Sequence, residues 1–240
     1  MSIQSTCALA AAGLVGALLA TPASAYEVIA VENPGKVTGT VKFAGDPPAP
    51  EKFAVTKDNS ACGQEKTKED LLVSADKGIA NVVVVVKASK GAELKPADKK
   101  ITFDQKGCQY KPHVTLVPAG STLEVLNPDG VLHNVHVMGK ANPEKNQAMP
   151  KFRKTLDWKM DKPEWPVEVK CDAHPWMKAY WVVMDTPYYA VTDENGRFTI
   201  ENLPAGEYDV EVWQETLGKK QEKVTVTAGA ATDVAWDMSK

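Results

Sequence analysis

The sequence predicts an all-β protein built of β-sandwiches, and three observations carry that reading. Apolar residues recur at every second position in one short segment after another, the period of a strand with one buried face. Sixteen prolines and sixteen glycines interrupt the 240 residues too often for long helices. Asp193-Glu194-Asn195-Gly196 is a hairpin signal between two such segments, since Asn and Gly accept the positive φ that tight turns require.

The first 25 residues are expected to be a signal peptide outside the fold. Residues 8–20 are an uncharged Ala/Leu/Gly-rich run, followed by the small-x-small site Ala23-Ser24-Ala25. The run is shorter than the ~20 residues a bilayer span takes. Residues 1–6 depart from the pattern in carrying no Lys or Arg, and Cys7 precedes the apolar run, which argues against a lipid anchor. The mature chain is expected to start at Tyr26, in the periplasm or secreted, with no membrane span after signal removal.

Strands follow. Val37, Gly39, Val41 and Phe43 alternate with polar residues, and the five valines 82–86 read as a strand buried on both faces. Segments 101–103, 114–116 and 121–127 come next, with Leu123 and Val125 on one face. Val167, Val169 and Cys171 alternate, so the thiol points with two core valines. Segments 180–184, 197–200, 208–213, 224–226 and the alternating Val234, Trp236 and Met238 bring the set to about ten strands. Residues 142–166 lack periodicity and are expected to be an irregular loop or to carry a short helix.

Composition narrows the function. A 43% hydrophobic content excludes a disordered chain, and a net charge of −3 argues against a nucleic-acid binder. Four histidines exclude an array of metal centres and leave room for one. Removing Cys7 with the signal leaves three cysteines, an odd number. A free thiol in an oxidising compartment becomes oxidised unless something occupies it. An intermolecular disulfide, a buried thiol and a metal-bound thiolate all remain open on that count.

Residues 171–177, Cys-Asp-Ala-His-Pro-Trp-Met, put a thiolate, an imidazole and a thioether within seven positions. Upstream, Leu132-His133-Asn134 places a second imidazole just after another strand. Two His and a Cys with a weak Met are the ligand set of a blue-copper electron-transfer site, because soft sulfur suits Cu(I) and imidazole suits both oxidation states. Thioether is a poor zinc ligand, and no Cys-x-x-Cys-His for a c-type haem occurs.

His133-Asn134 followed by Cys171-x-x-His174-x-x-Met177 resembles the cupredoxins, over roughly residues 99–184, with a short His-Pro-aromatic-Met loop similar to that of the amicyanins. The resemblance implies a Greek-key sandwich with one mononuclear Cu(I)/Cu(II) site. His133, Cys171 and His174 become the equatorial ligands and Met177 the axial one. It further implies that His174 is the ligand at the solvent edge and the electron exit, with Pro175 and Trp176 forming the docking patch. His113 is read as structural. Asn134 and His136 are possible neighbours of the ligands or alternative ligands, although His136, three residues beyond His133, should face away from the metal. Cys62 and Cys108 have no ligand-type neighbours and read as a disulfide, which accounts for the odd thiol.

Residues 190–200 with Asn202-Leu203-Pro204-Ala205-Gly206-Glu207-Tyr208 resemble the carboxypeptidase regulatory-like domain, a small transthyretin-like sandwich, and Gly35-Lys36-Val37-Thr38-Gly39-Thr40-Val41 fits its first strand. The implied organisation is a signal peptide at 1–25, a discontinuous regulatory-like sandwich at 34–95 and 185–240, and an inserted cupredoxin at 96–184. Two sequential domains are the alternative. The combination resembles bacterial methylamine-utilisation and plastocyanin-like proteins.

The expected function is an exported, non-enzymatic, single-electron carrier. Its partner would be a redox protein such as a c-type cytochrome or a periplasmic dehydrogenase. The alternatives are a periplasmic copper carrier and a cell-surface or carbohydrate-binding module. Residues 140–162 hold seven Lys/Arg against three Asp/Glu, which would favour an acidic partner.

Overall fold

A computed structural model describes residues 26–240, so the expected signal peptide lies outside the described residues. In chain order the first part forms β1 (Glu27–Val28), β2 (Gly35–Phe43), β3 (Lys52–Ala54), the one-turn helix α1 (Asn59–Cys62), β4 (Glu65–Thr67), β5 (Val83–Val86) and β6 (Lys90–Gly91). The middle forms β7 (Ile101–Asp104), β8 (Val114–Pro118), β9 (Ser121–Leu126), β10 (His133–Val137), β11 (Lys145–Met149), β12 (Thr155–Met160), β13 (Glu164–Lys170) and β14 (Lys178–Met184). The last part forms β15 (Tyr189–Val191), β16 (Arg197–Leu203), β17 (Gly206–Gln214), β18 (Gly218–Val226) and β19 (Ala231–Met238). The fold is all-β, with more strands than the apolar segments alone indicate, and most of them run longer than those segments.

Two sheets enclose the candidate site. One has the order β11-β10-β13-β14-β8 and the other β12-β9-β7. The chain crosses repeatedly between them, so the pairs β14–β8 and β7–β9 run parallel while the others are antiparallel. Between the sheets lies a core containing Phe103, Leu123, Val125, Val135, Val137, Val167, Val169, Cys171, Met177 and Trp181. Alternation along β13 and β14 assigns these residues to one face. On β14, Ala179, Trp181 and Val183 point into this core, while Tyr180, Val182 and Met184 point out the other side.

The second pair of sheets has the orders β15-β5-β17-β18 and β16-β2-β19. Strands β2 and β5, which precede the central sandwich in sequence, lie inside these sheets: β2 pairs with β16 and β19, and β5 with β15 and β17. The five-valine run is buried on both sides, with Val82, Val84 and Val86 in one core and Val83 and Val85 in another. The turn at 193–196 corrects the expectation of a hairpin: β15 pairs with β5 and β16 with β2, so the turn carries the chain from one sheet to the other, and of its residues only Gly196 takes positive φ, at 75°. Asp193 accepts the N–H groups of Asn195 and Arg197 at 2.8 Å each, which closes the turn without a left-handed Asn195.

Residues 142–166 correct the expectation of a loop or short helix: they form β11, β12 and the start of β13. β11 is an edge strand exposed at three of its five positions, so it carries no alternating signal. β12 does alternate, burying Leu156, Trp158 and Met160. That alternation is present in the sequence, with Asp157 and Lys159 between the apolar positions, and the reading of 142–166 as aperiodic overlooked it.

Candidate metal centre

His133 opens β10, and Cys171 follows the last residue of β13. His174 and Met177 lie on the loop between β13 and β14. The loop is closed by its own backbone: Met177 N–H donates to the His174 carbonyl at 2.9 Å, and Cys171 N–H to the Met177 carbonyl at 3.1 Å. All four side chains are sealed from solvent; His133 and His174 are 0% exposed, Met177 1% and Cys171 2%. His133, Cys171 and His174 offer ligand atoms within 4.8 Å of one another. His133 Nδ1 and His174 Nδ1 are 3.0 Å apart, and Cys171 Sγ is 3.8 Å from His174 Nδ1.

The outer nitrogen of each ring meets a carboxylate. His133 Nε2 is 3.0 Å from Asp129 Oδ2, and His174 Nε2 is 2.9 Å from Asp58 Oδ2. An imidazole that donates from Nε2 leaves Nδ1 as a bare acceptor. Two bare nitrogens facing each other at 3.0 Å in a buried space repel unless a cation or a shared proton lies between them. A metal ion bound by two imidazole nitrogens and a thiolate satisfies that arrangement, so the residues fit the copper that the ligand set implies. Burial, reinforced by the charge of the neighbouring His174, holds the His133 imidazole below its ordinary pKa against the pull of Asp129. Burial likewise pushes the Cys171 thiol up, against hydrogen bonds from Asn134, His174 and Ala173. A bound metal would reverse that, because a coordinating thiol is deprotonated outright.

Asn134 acts beside the ligands. Its Oδ1 accepts the N–H groups of Asp172 at 2.7 Å and Ala173 at 3.2 Å and lies 3.3 Å from Cys171 Sγ. His136 faces away, with Nδ1 3.2 Å from Asp172 and Nε2 3.0 Å from Glu144. It is no part of the ligand cluster. His113, just ahead of β8, pairs with Glu215, which Lys178 also reaches at 2.5 Å. Burial alone would raise the Glu215 carboxyl; the His113 imidazole and the Lys178 ammonium hold it below the ordinary range.

His174 corrects the expectation of a solvent-edge ligand. Residues 52–67 lie across the loop that carries it. Phe53 packs on Trp176 with ring centroids 6.1 Å apart, and Asp58 covers the outer edge of His174. Cys62 is bonded to Cys108, and Lys66 Nζ donates to the Gly107 carbonyl at 2.6 Å. Trp176 is half-buried and donates from Nε1 to the Cys108 carbonyl at 3.1 Å, so it is partly held inward; Pro175 is exposed. Cys171 is the free cysteine among the described residues.

The sequence reading missed Asp58 and Asp129. Asp129 lies in the Asn127-Pro128-Asp129-Gly130 turn, four residues before His133, and that proximity is the one local signal for it. Asp58 is 116 residues from His174 and has no local signal at all.

Comparison with solved structures finds similarity to a copper-containing nitrite reductase from Thermus scotoductus SA-01, at 22% identity and a TM-score of 0.32. The match covers 38% of this chain and 26% of the reductase, so the chain spans about a quarter of that protein. Two amicyanin variants in the Cu(I) form match at 20% and 21% identity, with TM-scores of 0.32 and 0.33, each over 42% of this chain and 98% of theirs. No curated protein matches the chain. Residues 179–239, about a quarter of the chain, match the family model of the carboxypeptidase regulatory-like domain, a stretch that takes in β14 of the central sandwich as well as β15 to β19.

Proposed function

We propose that this chain is an exported carrier of single electrons whose metal is copper, held by His133, Cys171 and His174, with Met177 as the weak fourth ligand. The observation that carries the reading is the pair of buried imidazoles with Nδ1 atoms 3.0 Å apart beside the Cys171 thiol. Copper, when bound, supplies the one-electron couple. The protein holds two rings and a sulfur in one place through either oxidation state, because the loop is closed by its own hydrogen bonds and by Asn134. Little then has to rearrange when an electron arrives or leaves.

Enclosure supports a carrier over an enzyme, since a site whose ligands are at most 2% exposed offers a substrate no open position. The same enclosure disfavours a protein that hands its ion on. The N-terminal pattern supports export, and no helix among the described residues is long and apolar enough to cross a membrane. The partner is proposed to be a redox protein such as a c-type cytochrome or a periplasmic dehydrogenase. We assign β2, β5 and β15 to β19 to one regulatory-like unit that braces the central sandwich.

The test is an optical and EPR spectrum of the Cu(II)-loaded mature protein. An intense visible thiolate-to-copper band is expected, and Cys171→Ser should abolish it while circular dichroism stays unchanged. A colourless Cu(II) protein, or a Cys171→Ser variant that keeps its colour, overturns the assignment.

A further inference from the structure

We infer that Asp58 and Asp129 are paired positioning residues that fix both ligand imidazoles with Nδ1 turned to the metal, and that they bias the site toward the more highly charged oxidation state. Each carboxylate accepts from one ring Nε2 within 3.0 Å. Carboxylates behind metal-binding histidines set the tautomer and raise ligand basicity. With the Cys171 thiolate they place three negative charges around one ion, which favours Cu(II) over Cu(I).

Asp58 is free to do this. It precedes α1 at φ 52°, yet its side chain makes no hydrogen bond to the helix it begins. An Asp in that position ordinarily caps its own helix; this one is spent on His174. Asp129 is held by other means, accepting the N–H groups of Gly107 and Cys108 at 2.7 Å each. The Cys62–Cys108 disulfide joins the two supports, since Cys62 closes the turn that Asp58 begins and Cys108 holds Asp129. Residues 52–67 thus do more than cover the loop. They carry in the second carboxylate and cover the outer edge of His174.

The electrochemical half of this inference rests on the copper reading; the tautomer half does not. In the copper-free full-length mature protein, nitrogen-15 NMR of the histidine rings should show His174 held with Nε2 protonated toward Asp58, its Nδ1 sharing a proton with His133 Nδ1 in place of the metal. Asp58→Ala should release it to a mixture, and Asp58→Glu should restore it. A ring with the same tautomer in wild type and Asp58→Ala overturns the inference even if no copper binds. In the copper-loaded protein, Asp58→Asn should keep the visible band and weaken Cu(II) binding about 10–100-fold. If Cu(I) binding is unchanged, the potential rises by about 59 mV per tenfold for one electron. An Asp58→Asn protein with wild-type colour, Cu(II) affinity and potential refutes the bias. Absence of any copper band in the wild type would instead overturn the copper reading. Asp129 also supports two backbone N–H groups, so its variants are secondary to those at Asp58.

Discussion

One amide oxygen, that of Asn134, ties the two halves of the candidate site together: it receives the N–H groups of Asp172 and Ala173 from the loop while its own backbone belongs to β10, the strand of His133. Its backbone carbonyl also receives the Tyr110 hydroxyl at 2.5 Å. Asn134→Ala leaves two loop N–H groups without a partner, and an unsatisfied buried donor costs ~1–3 kcal/mol. Partial exposure of the loop puts the expected loss at about 2 kcal/mol, read from urea unfolding of the copper-free protein. A midpoint unchanged from wild type would show that water replaces the amide without cost. Such residues mark the limit of reading a site from sequence. Cys171, His174 and Met177 could be named as candidates because a loop that binds a metal brings its own ligands close, so their spacing is their signal. The Asp58 carboxylate could not, because it is one of 31 acidic side chains and its contact is made by tertiary packing alone.

Among the elements, the misread stretch 142–166 shows which strands sequence periodicity finds. Val37, Val41 and Phe43 of β2 were legible because one face is buried and the other wet. β11 was not, because an edge strand with little burial has nothing to alternate. What holds the turn after β10 is instead a side chain from β13. Glu164 accepts Lys140 N–H at 2.5 Å and Asn142 N–H at 2.9 Å, and Asn142 Nδ2 lies 3.1 Å away. Burial would raise the Glu164 carboxyl, but these donors outweigh it and hold it below the ordinary range. A carboxyl depressed in the folded state stabilises above its unfolded pKa, about 4.3, and that contribution disappears as pH falls through the lower folded value. Glu164→Gln is therefore expected to cost about 1–2 kcal/mol at pH 7, with the difference from wild type shrinking steadily below about pH 4.3. Urea midpoints at pH 7 and pH 3 check it, and an equal difference at both would refute the charge as the cause.

At the scale of the whole molecule, the four main sheets stack in one order, with a core between each adjacent pair. The middle core is the informative one. It joins Val83 and Val85 of β5 and Trp213 of β17 to Val114, Tyr180, Val182 and Met184 of the central sandwich. Trp213 meets Tyr180 edge-on with centroids 4.9 Å apart. Around the rim, Lys87 and Lys219 lie over the Trp165 ring at 5.4 and 5.0 Å, and both pair with Glu211. Glu215, reached by Lys178 and His113, binds the second sandwich to the strand that begins right after Met177. Inter-domain contacts are by default polar and mobile, and a large apolar one is the exception. This one continues the five-valine strand, which explains why that strand is apolar on both faces. The two sandwiches should therefore unfold together. Calorimetry of the copper-free protein is expected to give one transition whose calorimetric and van't Hoff enthalpies agree. Trp213→Ala removes the largest side chain the second sandwich contributes to that core and should cost about 3–5 kcal/mol. If coupling depends on this core, the variant's single transition also broadens or splits into two. Two resolved transitions in the wild type would mean that the sandwiches are neighbours without being one cooperative unit, and the ligand loop would then owe its rigidity to the central sandwich and its strap alone.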